Sequence, residues 1–378
     1  MPRKALAALF SLAILFSFSR AGADTQGFIT VQGPTLESRL DSAVQLANSS
    51  APGKAFWIAY AFHVREGVSV DTCGNDVERS VTFTDRGGNS KDPFTETRNL
   101  AVFLKYPGKG APAETLRVLN LDRHHNFSGV PVYWLELQPN DASLNFLTGL
   151  VKSKPRIEVE EGAIMAVGLH DDQRIGAILE GFAGRSQDER ARETAVFWLG
   201  ELSGEVPFLQ NLSMDERQPT ELRKKAIFSI GIDKDSVAVQ ALEAIYGSTH
   251  NREILKQTVF SLYLKKDSEH AIDRLIGVAE KEADVEVRKS AIFWIGQIAG
   301  ERTLGALTDT VNGSDGDTEV KKAAVFAISQ RPAGESTPVL IEIAKTHPNP
   351  RVRKQAIFWL GQSGDSRALK FLEELIRN

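Results

Sequence analysis

Four side chains that could bind a metal ion lie in the N-terminal third of this 378-residue sequence: His63, Asp122, His124 and His125. Imidazole and carboxylate groups are common metal ligands. The adjacent pair His124 and His125 would point to opposite faces of a strand, and no His-x-His or His-x-x-x-His pair supplies two ligands from one element. We therefore expect a polar turn between two strands here, and a metal site is the weaker alternative.

The sequence offers little support for catalysis or for binding of a cofactor or nucleic acid. The sequence lacks a G-x-S-x-G elbow, a P-loop and a G-x-G-x-x-G fingerprint. Its one cysteine, Cys73, permits neither an intrachain disulfide nor a multi-cysteine zinc site. A net charge of -4 argues against a dedicated nucleic-acid binder. We predict no catalytic residues and no cofactor.

The first 23 residues have the pattern of a secretory signal peptide. Arg3 and Lys4 precede an apolar run, Ala5–Phe18, and the small residues before Asp24 suit cleavage after Ala23. We expect the mature protein to be exported, either to a periplasm or outside the cell. No later stretch approaches 18 apolar residues, so we expect no transmembrane segment after cleavage.

Residues 24–140 predict a small, β-rich α+β domain. Apolar residues at helical spacing indicate one helix over Thr35–Asn48. Runs rich in β-branched and aromatic residues, separated by glycine- and proline-containing turns, predict a mostly antiparallel sheet. The predicted strands are Phe56–Val64, Ser80–Thr84, Asn99–Tyr106, Thr115–Leu121 and Val130–Leu137.

Residues 141–378 contain seven copies of one motif, which is clearest as RVRKQAIFWLG over Arg351–Gly361. The copies are spaced 31 to 33 residues apart, which indicates a repeat array. We number positions within each copy from the residue aligned with the first alanine of AIFWLG. These residues, which define copies 1 to 7, are Ala163, Ala195, Ala226, Thr258, Ala291, Ala324 and Ala356.

Each copy predicts a helix with one buried face. Positions -4, 0 and +4 are apolar or small and lie on the same side of a helix. Position +5 is usually glycine, which suits a helix end. A turn and a second helix follow, so the unit is helix–turn–helix. We expect the last of these helices, Leu369–Arg377, to form a polar C-terminal cap.

This pattern resembles the HEAT-like repeats, specifically the short repeats of phycobilisome-lyase-type proteins. Val352, Arg353, Ala356, Gly361 and Asp365 match their V-R-x-x-A…G…D pattern. The resemblance implies an α-solenoid over residues 141–378 and a binding scaffold. HEAT-repeat iron hydroxylases use His-Glu pairs, but no histidine here is followed by glutamate. No residue matches a bilin-lyase site.

Two positions depart from the generic repeat. Position +2 lies about 200° from the buried alanine yet is usually phenylalanine, and position -2, on the same face, is usually lysine. The phenylalanines are Phe197, Phe228, Phe260, Phe293, Phe326 and Phe358, with Met165 in copy 1. The lysines are Lys224, Lys256, Lys289, Lys322 and Lys354, with Glu161 and Glu193 in copies 1 and 2.

Two interpretations of these rings remain open. They could pack against the neighbouring repeat under the lysine stems. Alternatively, they could form a cationic, hydrophobic groove for a partner peptide that is acidic and apolar. Trp198, Trp294 and Trp359 at position +3 are expected in the core between helices. Our hypothesis is a non-enzymatic, exported scaffold that binds a protein or peptide. The alternative is an N-terminal domain that binds a small ligand or metal, or is enzymatic.

Overall fold

The structure, a computed structural model, describes residues 27–68, 71–72, 81–82, 98–185, 188–313 and 317–377. The chain divides between Ser143 and Leu144 into two compact units. The predicted signal peptide and Cys73 lie outside the described residues. Within the described part of the chain, no helix has both the length and the apolar character needed to cross a lipid bilayer.

The first unit contains a small sheet and a helix, as the sequence predicted. The helix α1 starts with a reciprocal cap, since Thr35 Oγ1 accepts a hydrogen bond from the backbone N–H of Ser38 while Ser38 Oγ accepts one from that of Thr35. The elements described are β1 Ile29–Thr30, α1 Leu36–Ser50, β2 Phe56–Ala61, β3 Asp71–Thr72, β4 Val81–Thr82, β5 Leu100–Tyr106, β6 Thr115–Asn120 and β7 Val132–Leu137.

The order of strands in the main sheet is β1-β7-β2-β5-β6. The pairs β2–β5 and β5–β6 are antiparallel, but β7 runs parallel to both β1 and β2. The prediction of a mostly antiparallel sheet is therefore only half right. The physical reason is α1, because a helical connection lets β1 and β2 run in the same direction, and β7 lies between them.

The second unit is an array of paired helices, which confirms the predicted HEAT-like α-solenoid. The helices that carry the AIFWLG motif, here called B helices, are α3 Ile157–Leu169, α5 Glu189–Gly200, α7 Thr220–Ile232, α9 Arg252–Leu264, α11 Val285–Gly296, α13 Thr318–Ser329 and α15 Pro350–Gln362. The A helices between and around them are α2 Asn140–Lys152, α4 Ile175–Arg185, α6 Val206–Met214, α8 Ala238–Gly247, α10 Glu269–Lys281, α12 Glu301–Asn312, α14 Ala333–Thr346 and α16 Ser366–Arg377.

Each B helix buries the predicted face. The residues at positions -4, 0 and +4 are fully or almost fully buried in all seven copies. The one polar residue at position 0, Thr258, satisfies its hydroxyl within the helix by donating to the carbonyl of Ile254 at 2.8 Å. Five B helices begin with a side chain that caps the backbone, a signal at position -7 that our sequence analysis did not use. These caps are Asp188, Asn251, Asp284, Asp317 and Asn349.

The glycine at position +5 permits a very close approach between successive B helices. A Cβ at Gly200 would lie 2.7 Å from the backbone oxygen of Ser229, and one at Gly296 would lie 2.9 Å from the Cβ of Ala327. These glycines do not have positive φ angles, so the close contact explains them better than a helix-ending role. The same relation joins Gly168 to Trp198 and Gly231 to Ser261.

A basic side chain at position -3 links each of several B helices to the A helix before it. Arg223, buried, donates from Nε to the carbonyl oxygen of Ser213 at 2.8 Å, at the C-terminal end of α6. A cation is favourable there because the last carbonyls of a helix lack intrahelical partners and carry partial negative charge. Equivalent bonds run from Arg192 to Ala183, from Arg288 to Ala279, from Lys321 to Val311 and from Arg353 to His347.

The last helix, α16, differs from the predicted polar cap. Ala368 and Phe371 are buried, whereas Leu369, Leu375 and Ile376 are exposed. In an earlier repeat, the equivalent face of the A helix contacts the next A helix, as α14 contacts α16. The apolar pattern of the repeat therefore continues through the last described helix rather than ending in a polar face.

We predict that Gly296→Ala lowers the free energy of unfolding by about 1–3 kcal/mol, because the new methyl group overlaps Ala327. Gly361→Ala is the matched control, since a Cβ there meets no atom within 4 Å. It should be neutral or raise stability by up to about 1 kcal/mol through helix propensity. Urea denaturation followed by circular dichroism measures both changes. Equal effects of the two substitutions would contradict the close-approach explanation.

We also predict that Arg223→Met costs about 1.5–3 kcal/mol, because it removes a charged hydrogen bond to a helix-end carbonyl. Arg223→Lys should retain most of the stability, since Lys321 makes the equivalent bond in copy 6. Thermal unfolding compares the two variants. If lysine destabilises the protein as much as methionine does, the contribution of this bond has been overestimated.

Candidate functional site: an aromatic strip on the B helices

The phenylalanines at position +2 form a partly exposed row across successive B helices. Phe293 and Phe358 are 39% and 54% exposed, although both are large and apolar. The other four phenylalanines are half-buried. We use the name aromatic strip for these six phenylalanines and the three half-buried rings beside them. Its members are Phe197, Phe228, Phe260, Tyr263, Phe293, Trp294, Phe326, Phe358 and Trp359.

Rings of the strip stack from one repeat to the next. Phe228 and Phe260 are nearly parallel, with centroids 6.3 Å apart. Phe260 then meets Trp294 at 4.8 Å. Tyr263 stacks on the same indole, with centroids 4.6 Å apart. Such pairs contribute about 0.5–1.5 kcal/mol each beyond their area burial.

The same arrangement recurs near the C-terminal end, where Phe326 meets Trp359 at 5.1 Å. Several rings therefore pack against a neighbouring repeat, whereas Phe293 and Phe358 contact the tryptophan beside them on their own helix, and all of these rings present part of their surface to solvent. The two interpretations of the phenylalanines are compatible, because packing holds one side of each ring and leaves the other side accessible.

The three tryptophans at position +3 have two different environments. Trp198 is 3% exposed and lies over Gly168, as expected for a core residue. Trp294 and Trp359 are half-buried and belong to the aromatic strip, so the core prediction describes only the first of the three. The difference follows from the residue at position +5 in the preceding copy. It is glycine before Trp198 but Tyr263 before Trp294, which leaves no space beneath the indole.

Most lysines at position -2 are paired with a glutamate at position -5 of their own helix. The Nζ–Oε1 distances are 3.1 Å for Lys224–Glu221, 3.8 Å for Lys256–Glu253, 3.0 Å for Lys289–Glu286 and 3.1 Å for Lys322–Glu319. The lysines at position -2 were expected to make the groove cationic, but in copies 3 to 6 their charges are neutralised by these glutamates. These glutamates recur at position -5 in the sequence, and the predicted cationic groove did not take their charge into account.

The cation–π contacts to the strip come from positions other than -2. Lys266 places its Nζ 5.6 Å from the centroid of Tyr263. Lys225, at position -1, places its Nζ 5.8 Å from the centroid of Phe197 and 5.9 Å from that of Phe228. This ammonium group lies within the range of a favourable interaction with an aromatic face. Within the described residues, these contacts replace the lysine–phenylalanine pairs predicted between positions -2 and +2.

A cleft of about 440 Å³ lies beside the strip at its N-terminal end. Glu161 and Glu193, which replace lysine at position -2 in copies 1 and 2, contribute carboxylates. The remaining lining residues are Arg190, Thr194, Phe197 and Lys225. The cleft therefore combines an aromatic wall with charges of both signs, which suits a polar or charged side chain of a bound partner.

The four metal-ligand candidates do not converge. His63 is exposed, and its backbone N–H and carbonyl bond to the side chain of Asn140. Asp122 accepts a hydrogen bond from the side chain of Asn99 at 2.8 Å. His124 is exposed, and His125 Nε2 lies 2.7 Å from the carbonyl oxygen of Asn120. Within the described ranges, no three histidine, cysteine, aspartate or glutamate side chains form a group that could hold a metal.

Two carboxyl groups, buried Asp233 and half-buried Glu205, lie in turns that follow B helices. Burial raises the pKa of Asp233, and burial together with the neighbouring Glu180 raises the pKa of Glu205. Asp233 Oδ1 accepts a hydrogen bond from the backbone N–H of Asp235 at 2.7 Å, just before α8. This contact is typical of a turn, so we assign Asp233 a structural role.

Residues 313–378 match the family of HEAT repeats. The paired helices of the second unit continue the same arrangement before the matched segment, so this unit is an array of HEAT-like repeats. No curated protein matches the sequence.

Several solved structures show some likeness to the chain. Human deoxyhypusine hydroxylase is 17% identical, with 61% of this chain and 88% of that one covered and a TM-score of 0.31. The CpcE–CpcF complex of phycocyanin lyase from Nostoc sp. PCC7120 is 19% identical, with 52% and 79% covered and a TM-score of 0.32. Lipovitellin is 12% identical, with 76% and 36% covered and a TM-score of 0.43. At these TM-scores, none of the three supports an argument about the site.

Proposed function

We propose that the protein is an exported, non-enzymatic scaffold that binds a peptide or protein partner along the aromatic strip. The observation that supports this function is the strip itself. It places a partly exposed phenylalanine at position +2 of copies 2 to 7, and three of these rings contact an aromatic ring of the next repeat. Contiguous exposed apolar surface of this kind is a feature of interaction sites.

The strip suits an apolar partner segment more than a strongly charged one. Its rings are prearranged by stacking, so a partner would lose little free energy in ordering them. The lysines beside them are neutralised in copies 3 to 6, which limits nonspecific attraction of anions. Apolar side chains of the partner would contact the rings, and acidic residues would contribute only where a basic charge is left unpaired.

The binding proposal predicts that Phe293→Ser with Phe358→Ser reduces capture of the native partner from host extract at least tenfold. Leu369→Ser with Ile376→Ser is the matched control, because these residues are 55% and 85% exposed but lie on α16, away from the strip. The midpoint of thermal unfolding should fall more in the phenylalanine variant than in the control, because Phe293 and Phe358 pair with Trp294 and Trp359 at 4.9 and 5.0 Å. Capture is therefore measured at a temperature at which circular dichroism shows that both variants are folded. Unchanged capture by the phenylalanine variant, with loss in the control, would contradict the proposal.

Export rests on the predicted signal peptide and has its own test. Expression of the full sequence in its native host should yield a protein that lacks residues 1–23 and begins at Asp24. N-terminal sequencing of the protein from periplasmic and extracellular fractions measures this directly. Recovery of the uncleaved chain in the cytoplasm alone would contradict the export proposal and leave the binding proposal unaffected.

A further inference from the structure

The charges at positions -5 and -2 change sign from one end of the aromatic strip to the other. Copy 1 has two acidic residues, copy 2 has one of each sign, copies 3 to 6 have a glutamate and a lysine each, and copy 7 has two basic residues. The sums at the two positions are therefore -2 in copy 1, zero in copies 2 to 6 and +2 in copy 7. The residues at the two ends are Glu158 and Glu161 in copy 1, and Arg351 and Lys354 in copy 7.

In the part of the chain that the structure describes, copy 7 combines positive charges that form no ion pair with the most exposed ring of the strip. Lys354 is exposed, and the glutamate that would lie three residues before it is replaced by Arg351, also exposed. Phe358 is 54% exposed on the same face. Arg353 does not add to this surface, because its guanidinium donates to the carbonyl oxygens of His347 and Pro348.

The opposite end of the strip offers an anion no net positive charge. Glu158 pairs with Arg156 at 3.8 Å, and both residues lie at the start of α3. Glu161 and Glu193 then contribute negative charge to the cleft, in which Arg190 and Lys225 balance it. A bound anion therefore gains nothing from copies 1 and 2 comparable with what copy 7 offers.

We propose that the partner segment carries an acidic end and binds along the strip in one orientation, with that end over Arg351 and Lys354 of α15. This inference rests on the proposed function and adds the charge and the direction of the partner. The apolar part of the segment contacts the rings of copies 3 to 6. Its acidic end forms ion pairs with the two basic residues beside Phe358.

The size of the strip sets the length of such a segment. Seven B helices make six steps of about 10 Å each, the usual distance between packed helices, which gives about 60 Å. An extended chain covers about 3.3 Å per residue, so about 18 residues span the whole strip. A segment of about 12 residues would reach from copy 3 to copy 7.

The test uses three synthetic 18-residue peptides with the same central run of alternating leucine and serine and the same fluorescent label. The three peptides differ only at one end, which carries four glutamates in the first, four glutamines in the second and four lysines in the third. Fluorescence anisotropy with the whole mature protein, at low ionic strength, should show the glutamate peptide binding about tenfold more tightly than the lysine peptide. The variant Arg351→Glu with Lys354→Glu should reverse this order.

A charge-matched control comes from the middle of the strip. Glu286→Gln with Lys289→Gln removes one internal ion pair without altering the net charge, so the order of the peptides should stay as in the wild type. A photo-cross-linking residue placed next to the four glutamates should label α15 and neither α3 nor α5. Sedimentation of the free protein should give a monomer, which shows that copy 7 is not covered by a second copy.

The possible failures are distinguishable. If the three peptides bind equally well, or if the copy 7 variant keeps the wild-type order, the orientation is wrong and the proposed function survives. Cross-linking to α3 or α5 would also show that the orientation is wrong and would leave the proposed function intact. If none of the peptides binds, both the orientation and the proposed function fail. A dimer that the copy 7 variant dissociates would assign this surface to self-association and overturn the proposal.

Discussion

The packing of successive B helices against one another determines both the fold and the proposed binding surface. Gly200 and Gly296 let the following helix approach so closely that a single added carbon atom would overlap it. Between copies 3 and 4, which meet closely at Gly231, the rings of Phe228 and Phe260 stack with centroids 6.3 Å apart. Ring contacts also form where position +5 is not glycine, since Tyr263 and Ser329 precede the Phe260–Trp294 and Phe326–Trp359 pairs. The aromatic strip therefore follows from the regular packing of the B helices and not from the glycines alone.

Electrostatics have two separate roles in the array. At position -3 the basic side chain bonds to the end of the preceding A helix, as Arg223 does, and so belongs to the structure of the repeat. At positions -5 and -2 the charges lie beside the strip and cancel within each helix of the middle copies. Only copy 7 has two basic residues at these positions. In the sequence, the recurring lysines suggest a continuous basic surface. In the structure, this surface is neutral in the middle copies and basic only in copy 7.

Much of the second unit was predictable because its pattern recurs. Seven alanine positions at nearly constant spacing define the B helices, and the buried faces follow from helical periodicity. The close contact at position +5 was not predictable in the same way, because it depends on the residue at position +3 of the next copy. Trp198 and Trp294 show the difference, since the same residue type is buried in one copy and half-exposed in the other. In the first unit, the strands were recognisable from composition, but the parallel pairing of β7 depends on long-range topology.

Hydroxyl-radical footprinting of the unmodified protein tests the central claim most directly, because it measures the solvent accessibility of individual side chains by mass spectrometry. In the free protein, Phe293 and Phe358 should oxidise rapidly, and Trp198 should be protected. Addition of the native partner should protect the strip and leave Ile376 as reactive as before. If Phe293 and Phe358 oxidise no faster than Trp198, or if the partner protects Ile376 and not the strip, the aromatic strip is not the binding surface.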